Sequence, residues 1–260
     1  MKLRTSAMPG LVLLGLGLWL LPGRDRPGRF PPASQDVVRL AGPLRVLPVP
    51  FAWQAFGSAI RRQDEGLTLA RGRWLIGLMP EAEGLYAAMA WQLAYHLAAP
   101  MSEPQARARQ VREALVLLEE GIRERPELRD LPVLAGFLLQ DRARGPGMEQ
   151  ALTEALGESP WLKASRYLES AASQGPLSGG DRFLLMRLSV RLVELGERAF
   201  AAQVLETLAK SSLEAGTSGP MIALAKALRT PGPLRLTPEL CAWILRTEPF
   251  SRKPGLWPCR

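Results

Sequence analysis

EGLYAAMAWQLAYHLAA, residues 83–99, is the stretch that decides the fold. Its apolar positions Leu85, Tyr86, Met89, Ala90, Leu93, Ala94 and Leu97 recur at the three-and-four spacing of a single buried helical face. Trp91 and Tyr95 lie four apart on a neighbouring stripe, which makes the helix apolar nearly all round and predicts a central position for it. On that reading Trp91→Ala costs about 3–5 kcal/mol, as for a core aromatic.

Working outward, the flanks keep the helical period. Predicted helices cover 51–63 and 67–79, the latter ended by Pro80, before the central helix at 83–98. Ser102 is an N-cap candidate with Gln105 completing a capping box and Pro104 in the first turn. The helix it opens shows a stripe of Ala108, Val111, Leu115, Leu118 and Ile122 and ends at Pro126, with Glu119 and Arg123 paired four apart on its wet side. Further helices are expected at 130–142, 148–156 and 160–173, the last behind Ser159-Pro160, and at 182–195 behind Asp181. A helix over 197–214 follows the Gly196 break, and short ones are expected at 220–228 and 238–246, the latter behind Thr237-Pro238. Strand alternation and hairpin dipeptides are scarce. The fold class is therefore all-α, built as a stack of α-α hairpins, with an irregular orthogonal bundle as the alternative. Small residues recur where paired helices would touch, at Ala55, Ala59, Gly72, Ala90, Ala94, Ala135, Gly136, Ala201 and Ala202.

Upstream the chain changes character. Thr5 to Gly23 carries no charge and is bracketed by Arg4 and Arg24. At 1.5 Å per residue it would span roughly 28 Å, just sufficient for a bilayer core. It reads as an uncleaved single-pass anchor, with a cleaved signal peptide or an ordinary buried helix as alternatives. Residues 24–50 hold six prolines and form a linker. The expected organisation is an anchor at 1–23, a proline-rich linker at 24–50, a helical-repeat domain at 51–246 and an irregular tail at 247–260.

The formal charge of +8 resides in the ends. Residues 1–50 carry seven Lys/Arg against two acids and residues 230–260 five against two, whereas residues 51–229 hold 21 of each sign. A nucleic-acid-binding domain would concentrate that charge on one folded face, so no nucleic-acid partner is expected. Cys241 and Cys259 are too few for a zinc site. They are either free thiols or a disulfide stapling the tail to the last helix in an oxidising compartment.

The resemblance rests on Trp74-Leu75-Ile76, Pro80, Leu85-Tyr86 and Ala90-Trp91-Gln92-Leu93-Ala94-Tyr95, followed by Val111-Arg112-Glu113-Ala114 and Gly121-Ile122-Arg123-Glu124-Arg125-Pro126. This run, covering about residues 45–145, resembles tetratricopeptide (TPR)-like repeats, particularly those of membrane-anchored bacterial proteins. The resemblance implies a superhelix of helical hairpins with a scaffolding role. It departs from the family pattern in the displaced glycine of the first turn, Gly66, and in irregular spacing after residue 145.

Chemistry is sparse. His96 is the sole histidine and reads as structural or capping at a helix C-terminus. Asp64-Glu65, Glu119-Glu120 and Glu124 are flanked by arginines and read as solvated helix faces, not an acid/base pair. Gly15 and Gly17 lie inside the apolar run with no Lys-Ser/Thr behind them, so they are no phosphate loop. Trp53, Tyr86, Trp91, Tyr95 and His96 are the candidates for a partner groove, although such aromatics more often fill the core between hairpins. The expectation is a non-enzymatic adaptor without cofactor or metal, tethered to a bacterial inner membrane through residues 5–23. Its body would lie on the periplasmic side and bind other proteins. The alternative is an exported helical protein holding a small hydrophobic ligand, or an uncharacterised enzyme.

Overall fold

A computed structural model describes residues 47–79, 82, 84–211 and 215–259. The expected anchor and nearly all of the linker lie outside the described residues. Within them no helix is long and apolar enough to cross a membrane.

All regular structure among the described residues is helical. Eleven α-helices follow one another: α1 Val49–Arg61, α2 Glu65–Leu78, α3 Gly84–Trp91, α4 Pro104–Glu124, α5 Asp130–Arg142 and α6 Met148–Leu156, then α7 Pro160–Ser173, α8 Gly179–Glu194, α9 Arg198–Ser211, α10 Ala215–Arg229 and α11 Pro238–Arg246. A π-helical turn, Gln92–Leu97, extends α3. Two 3₁₀ turns, Phe250–Arg252 and Pro254–Leu256, follow α11.

Helix ends obey local chemistry where a cap is present. Asp64 accepts the Leu67 amide at the start of α2 (2.9 Å), and Thr237 accepts that of Leu240 at the start of α11. At α8 the cap is Ser178, with Asp181 three residues in as the reciprocal partner of a capping box, so the helix begins before the expected Asp181 cap. At α4 the N-cap is Glu103 and not Ser102, and neither it nor Ser159 at α7 makes a side-chain cap bond. Proline at the first helical position is common to both starts and removes one of the orphan amides a cap would serve. The α10 helix starts at Ala215, with Pro220 inside it and not at its first turn. In the α1–α2 turn the left-handed residue is Gln63 (φ 55°), while Gly66 is already inside α2.

Packing follows chain order. Each helix from α1 to α4 lies against the next, α3 also meets α5, and α4 meets both α5 and α6. The sequence continues with α5 on α7, α7 on α8 and α9, α8 on α9, α9 on α10 and α10 on α11. Close approach is made possible by the small residues anticipated for it. Eight of the nine are buried, and only Ala55 is half-exposed. A Cβ on Gly136 would sit 2.7 Å from Leu168 Cγ and 3.3 Å from the Ala164 carbonyl, so only glycine lets α5 and α7 meet at that crossing.

The whole predicted stripe of residues 85–97 is buried, from Leu85 to Leu97. The helix is nevertheless not apolar all round in effect. Trp91 is 40% exposed, Tyr95 half-buried and His96 exposed. The central placement expected for Trp91 is therefore corrected: the second aromatic stripe faces outward. The tail carries only two single 3₁₀ turns, yet it is packed in place. Phe250 is fully buried and Trp257 nearly so, with the Trp257 indole N–H donating to the Phe250 carbonyl. Cys241 and Cys259 form a disulfide (Cα–Cα 5.4 Å) that ties this tail to α11.

Candidate functional site: an aromatic shelf and an arginine-lined cleft

Of the acidic residues that read as solvated faces, Glu65, Glu119, Glu120 and Glu124 instead cross-link helices, while Asp64 caps its own. Tyr86 Oη donates to Glu124 Oε2 (2.5 Å), and Tyr95 Oη donates to Asp141 Oδ2 (2.7 Å). Tyr167 donates to Glu119. The chain has three tyrosines, and every one ends on a carboxylate. Burial first, and the carboxylate partner second, push all three phenols well above their ordinary range. These phenols stay protonated and act as fixed donors, not as bases.

Glu119 does not bond Arg123. It accepts from Lys163 (3.0 Å) as well as from Tyr167. Burial raises its proton affinity, but the two hydrogen bonds outweigh that and hold it below the usual carboxylate range. Glu65 accepts from Gln110 (2.6 Å) and Glu120 from Arg73 (3.1 Å).

Of the five groove candidates, the structure brings Trp91 and Tyr95 together. Their rings stack at 4.2 Å, and Trp91 also lies parallel to Phe137 of α5 at 6.4 Å. The Arg142 guanidinium covers the Tyr95 ring at 5.0 Å. The result is a layered shelf, Phe137–Trp91–Tyr95–Arg142, running from α3 to α5. It is rigid because Tyr95 is pinned through Asp141 and its rings hold one another. His96 is exposed one residue beyond it. Tyr86 is buried against α4 and offers no surface. Trp53 is 40% exposed on α1, in edge contact with Phe56 of its own helix.

Sequence reasoning missed a second feature. A cleft of about 670 Å³ opens between the α5–α6 turn, the start of α7, α8 and the C-terminal tail. Five cations line it, Arg144, Arg187, Arg191, Arg252 and Lys253, against two carboxylates, Glu149 and Glu194. Arg191 sits between both acids (2.6 Å to Glu149, 2.9 Å to Glu194) and over the Trp161 ring at 5.3 Å. Burial opposes its charge, but the two carboxylates prevail and hold it firmly protonated. Lys253 shares Glu194 (2.9 Å), and Arg252 pairs with Glu248 (2.8 Å). Glu194 is pushed up by burial and, more strongly, down by its two basic partners.

Arg187 is different. Its Nε donates to Gln140 Oε1 at 3.3 Å, while its Nη2 is buried without a partner. Burial and the neighbouring Arg144 charge push its proton affinity down, with Asp141 opposing. The Trp161 indole N–H is likewise buried and unpartnered. No pattern in the linear sequence joins these residues, which come from four separate segments. Among the described residues no cluster of His, Cys, Asp and Glu is arranged to hold a metal ion.

No family model, no curated protein and no solved structure matches this chain.

Proposed function

We propose that this chain is a non-catalytic adaptor of TPR-like architecture that positions partner proteins beside a bacterial membrane. Helices stacked in chain order form the scaffold, residues 5–23 tether it, and the linker sets its distance from the bilayer. The observation that carries the reading is the aromatic shelf. Trp91, Tyr95 and Phe137 are stacked and braced by Arg142, yet Trp91 keeps 40% of its surface exposed. Exposed, preorganised aromatics of this kind are what partner surfaces use as anchors, because little conformational entropy is lost when they are covered.

The disulfide supports a body on the oxidising, periplasmic side of the inner membrane.

The test is site-specific photo-crosslinking in intact membranes. A photoreactive residue at exposed His96 is expected to yield a protein adduct that disappears in Trp91→Ala. The same label at exposed Glu154, far along the chain on α6, is the control. Equal adducts from both positions, or adducts at 96 indifferent to Trp91→Ala, would remove the shelf from the reading.

A further inference from the structure

We propose that the arginine-lined cleft binds a phosphate-bearing ligand, with Arg144 and Arg187 holding the phosphate and Phe183 facing the body that carries it. This assignment is independent of the adaptor role.

The argument starts from charge. Arg191, Lys253 and Arg252 each have a carboxylate within 3 Å. Arg144 and Arg187 have none. Arg144 is exposed, and no bond of its guanidinium occurs among the described residues. Arg187 spends one N–H on a neutral amide oxygen and leaves Nη2 buried and idle. The two charges are close enough for Arg144 to lower the proton affinity of Arg187. Two neighbouring guanidiniums with no ion-paired carboxylate, and only the Asp141 charge nearby, repel each other, and an incoming anion would relieve that repulsion. Their forked donors match the oxygens of phosphate, and two guanidiniums without an ion pair match a dianion better than a monoanion.

The surroundings agree. Trp161 is 97% buried, having 3% of its surface exposed, and it lines the cleft with its indole donor unused. The N-terminus of α6 contributes Gly147 and Glu149 to the lining, and a helix start favours negative charge. Gly147 is held at φ 70°, and a Cβ there would lie 3.2 Å from Pro104, so that turn admits glycine alone without strain. Phe183, 39% exposed, supplies a flat apolar face beside the cations. Charge and apolar surface together suit an organic phosphate, whether a free phosphate ester or the headgroup of an anionic lipid.

The test uses the full chain in non-ionic detergent at low salt. Calorimetric titration with phenyl phosphate is expected to show saturable binding, stronger than for benzoate. Arg144→Gln, at an exposed position that leaves the helical circular-dichroism signal unchanged, should weaken it about tenfold or more. Arg187→Lys keeps the charge but loses the fork and should weaken it as well; should that variant not fold, Arg144→Gln decides alone. In a parallel arm, flotation with phosphatidic acid vesicles is compared with phosphatidylcholine vesicles. Phenyl phosphate binding without preferential flotation assigns a free phosphate ester. Flotation that prefers phosphatidic acid and is lost in Arg144→Gln assigns a lipid headgroup. Absence of both, or binding indifferent to Arg144→Gln, overturns the proposal.

Discussion

Aromatic side chains in this protein are sorted by their polar handles. The three tyrosines each reach a carboxylate on another helix, which turns a half-buried phenol into a fixed cross-link. Trp91 has no such bond in the structure and stays at the surface, supported by stacking alone. Because it is 40% exposed, Trp91→Ala should cost about 1–2 kcal/mol, the stacking and partial burial it loses, and not the larger cost of emptying a core site. Chemical denaturation measures this directly, and a loss above 3 kcal/mol would put Trp91 back into the core. The buried stripe Leu85–Leu97 was legible in the sequence because a 3.6-residue period reports which positions share a face. The side on which Trp91 fell was not, since a large ring is apolar whether it is covered or exposed. Arg187 was less legible still: its importance lies in the absence of a partner, which only the fold reveals.

Among elements, the start marked by Thr237 is legible in the sequence and that at Ser178 nearly so, because capping is a contest among adjacent groups, whereas Asp64 reads as part of a solvated face and proves to cap α2. Pro220 misled because proline's rule is statistical: α10 carries it in its interior, forgoing one backbone bond, and neighbouring helices α9 and α11 hold the helix together. The tail was read as irregular for want of periodicity. It is ordered by three contacts that local patterns do not encode: buried Phe250, buried Trp257 and the Cys241–Cys259 bond. That bond closes a loop across 18 residues, so Cys241→Ser with Cys259→Ser should cost about 3 kcal/mol. Urea denaturation followed by tryptophan fluorescence reads the effect through Trp243 and Trp257, whose rings flank Phe250. If the double variant and the oxidised parent unfold at the same midpoint, the bond has no role in holding the tail.

At the scale of the whole molecule, cohesion comes from neighbours along the chain. Polar cross-links join helices at recurring separations: 38 residues for Tyr86–Glu124, 46 for Tyr95–Asp141, 48 for Tyr167–Glu119, 47 for Arg187–Gln140 and 52 for Arg129–Asp181. Packing keeps to near neighbours as well, mostly helices one or two places apart, with α5 also meeting α8 three places on. Stability in such an arrangement is a sum of local terms and interfaces between neighbours, not one property shared by every residue. Leu75 is fully buried on α2, so Leu75→Ala should remove about 2–5 kcal/mol at that site. Hydrogen exchange is then expected to speed up in α1 to α4, which α2 contacts directly or through α3. Amides of α8 to α11 should keep their parental protection, because no substantial packing links them to α2. A single cooperative core would spread the loss to every helix alike, and uniform acceleration from α1 to α11 would refute the stacked arrangement of locally held helices on which the adaptor reading depends.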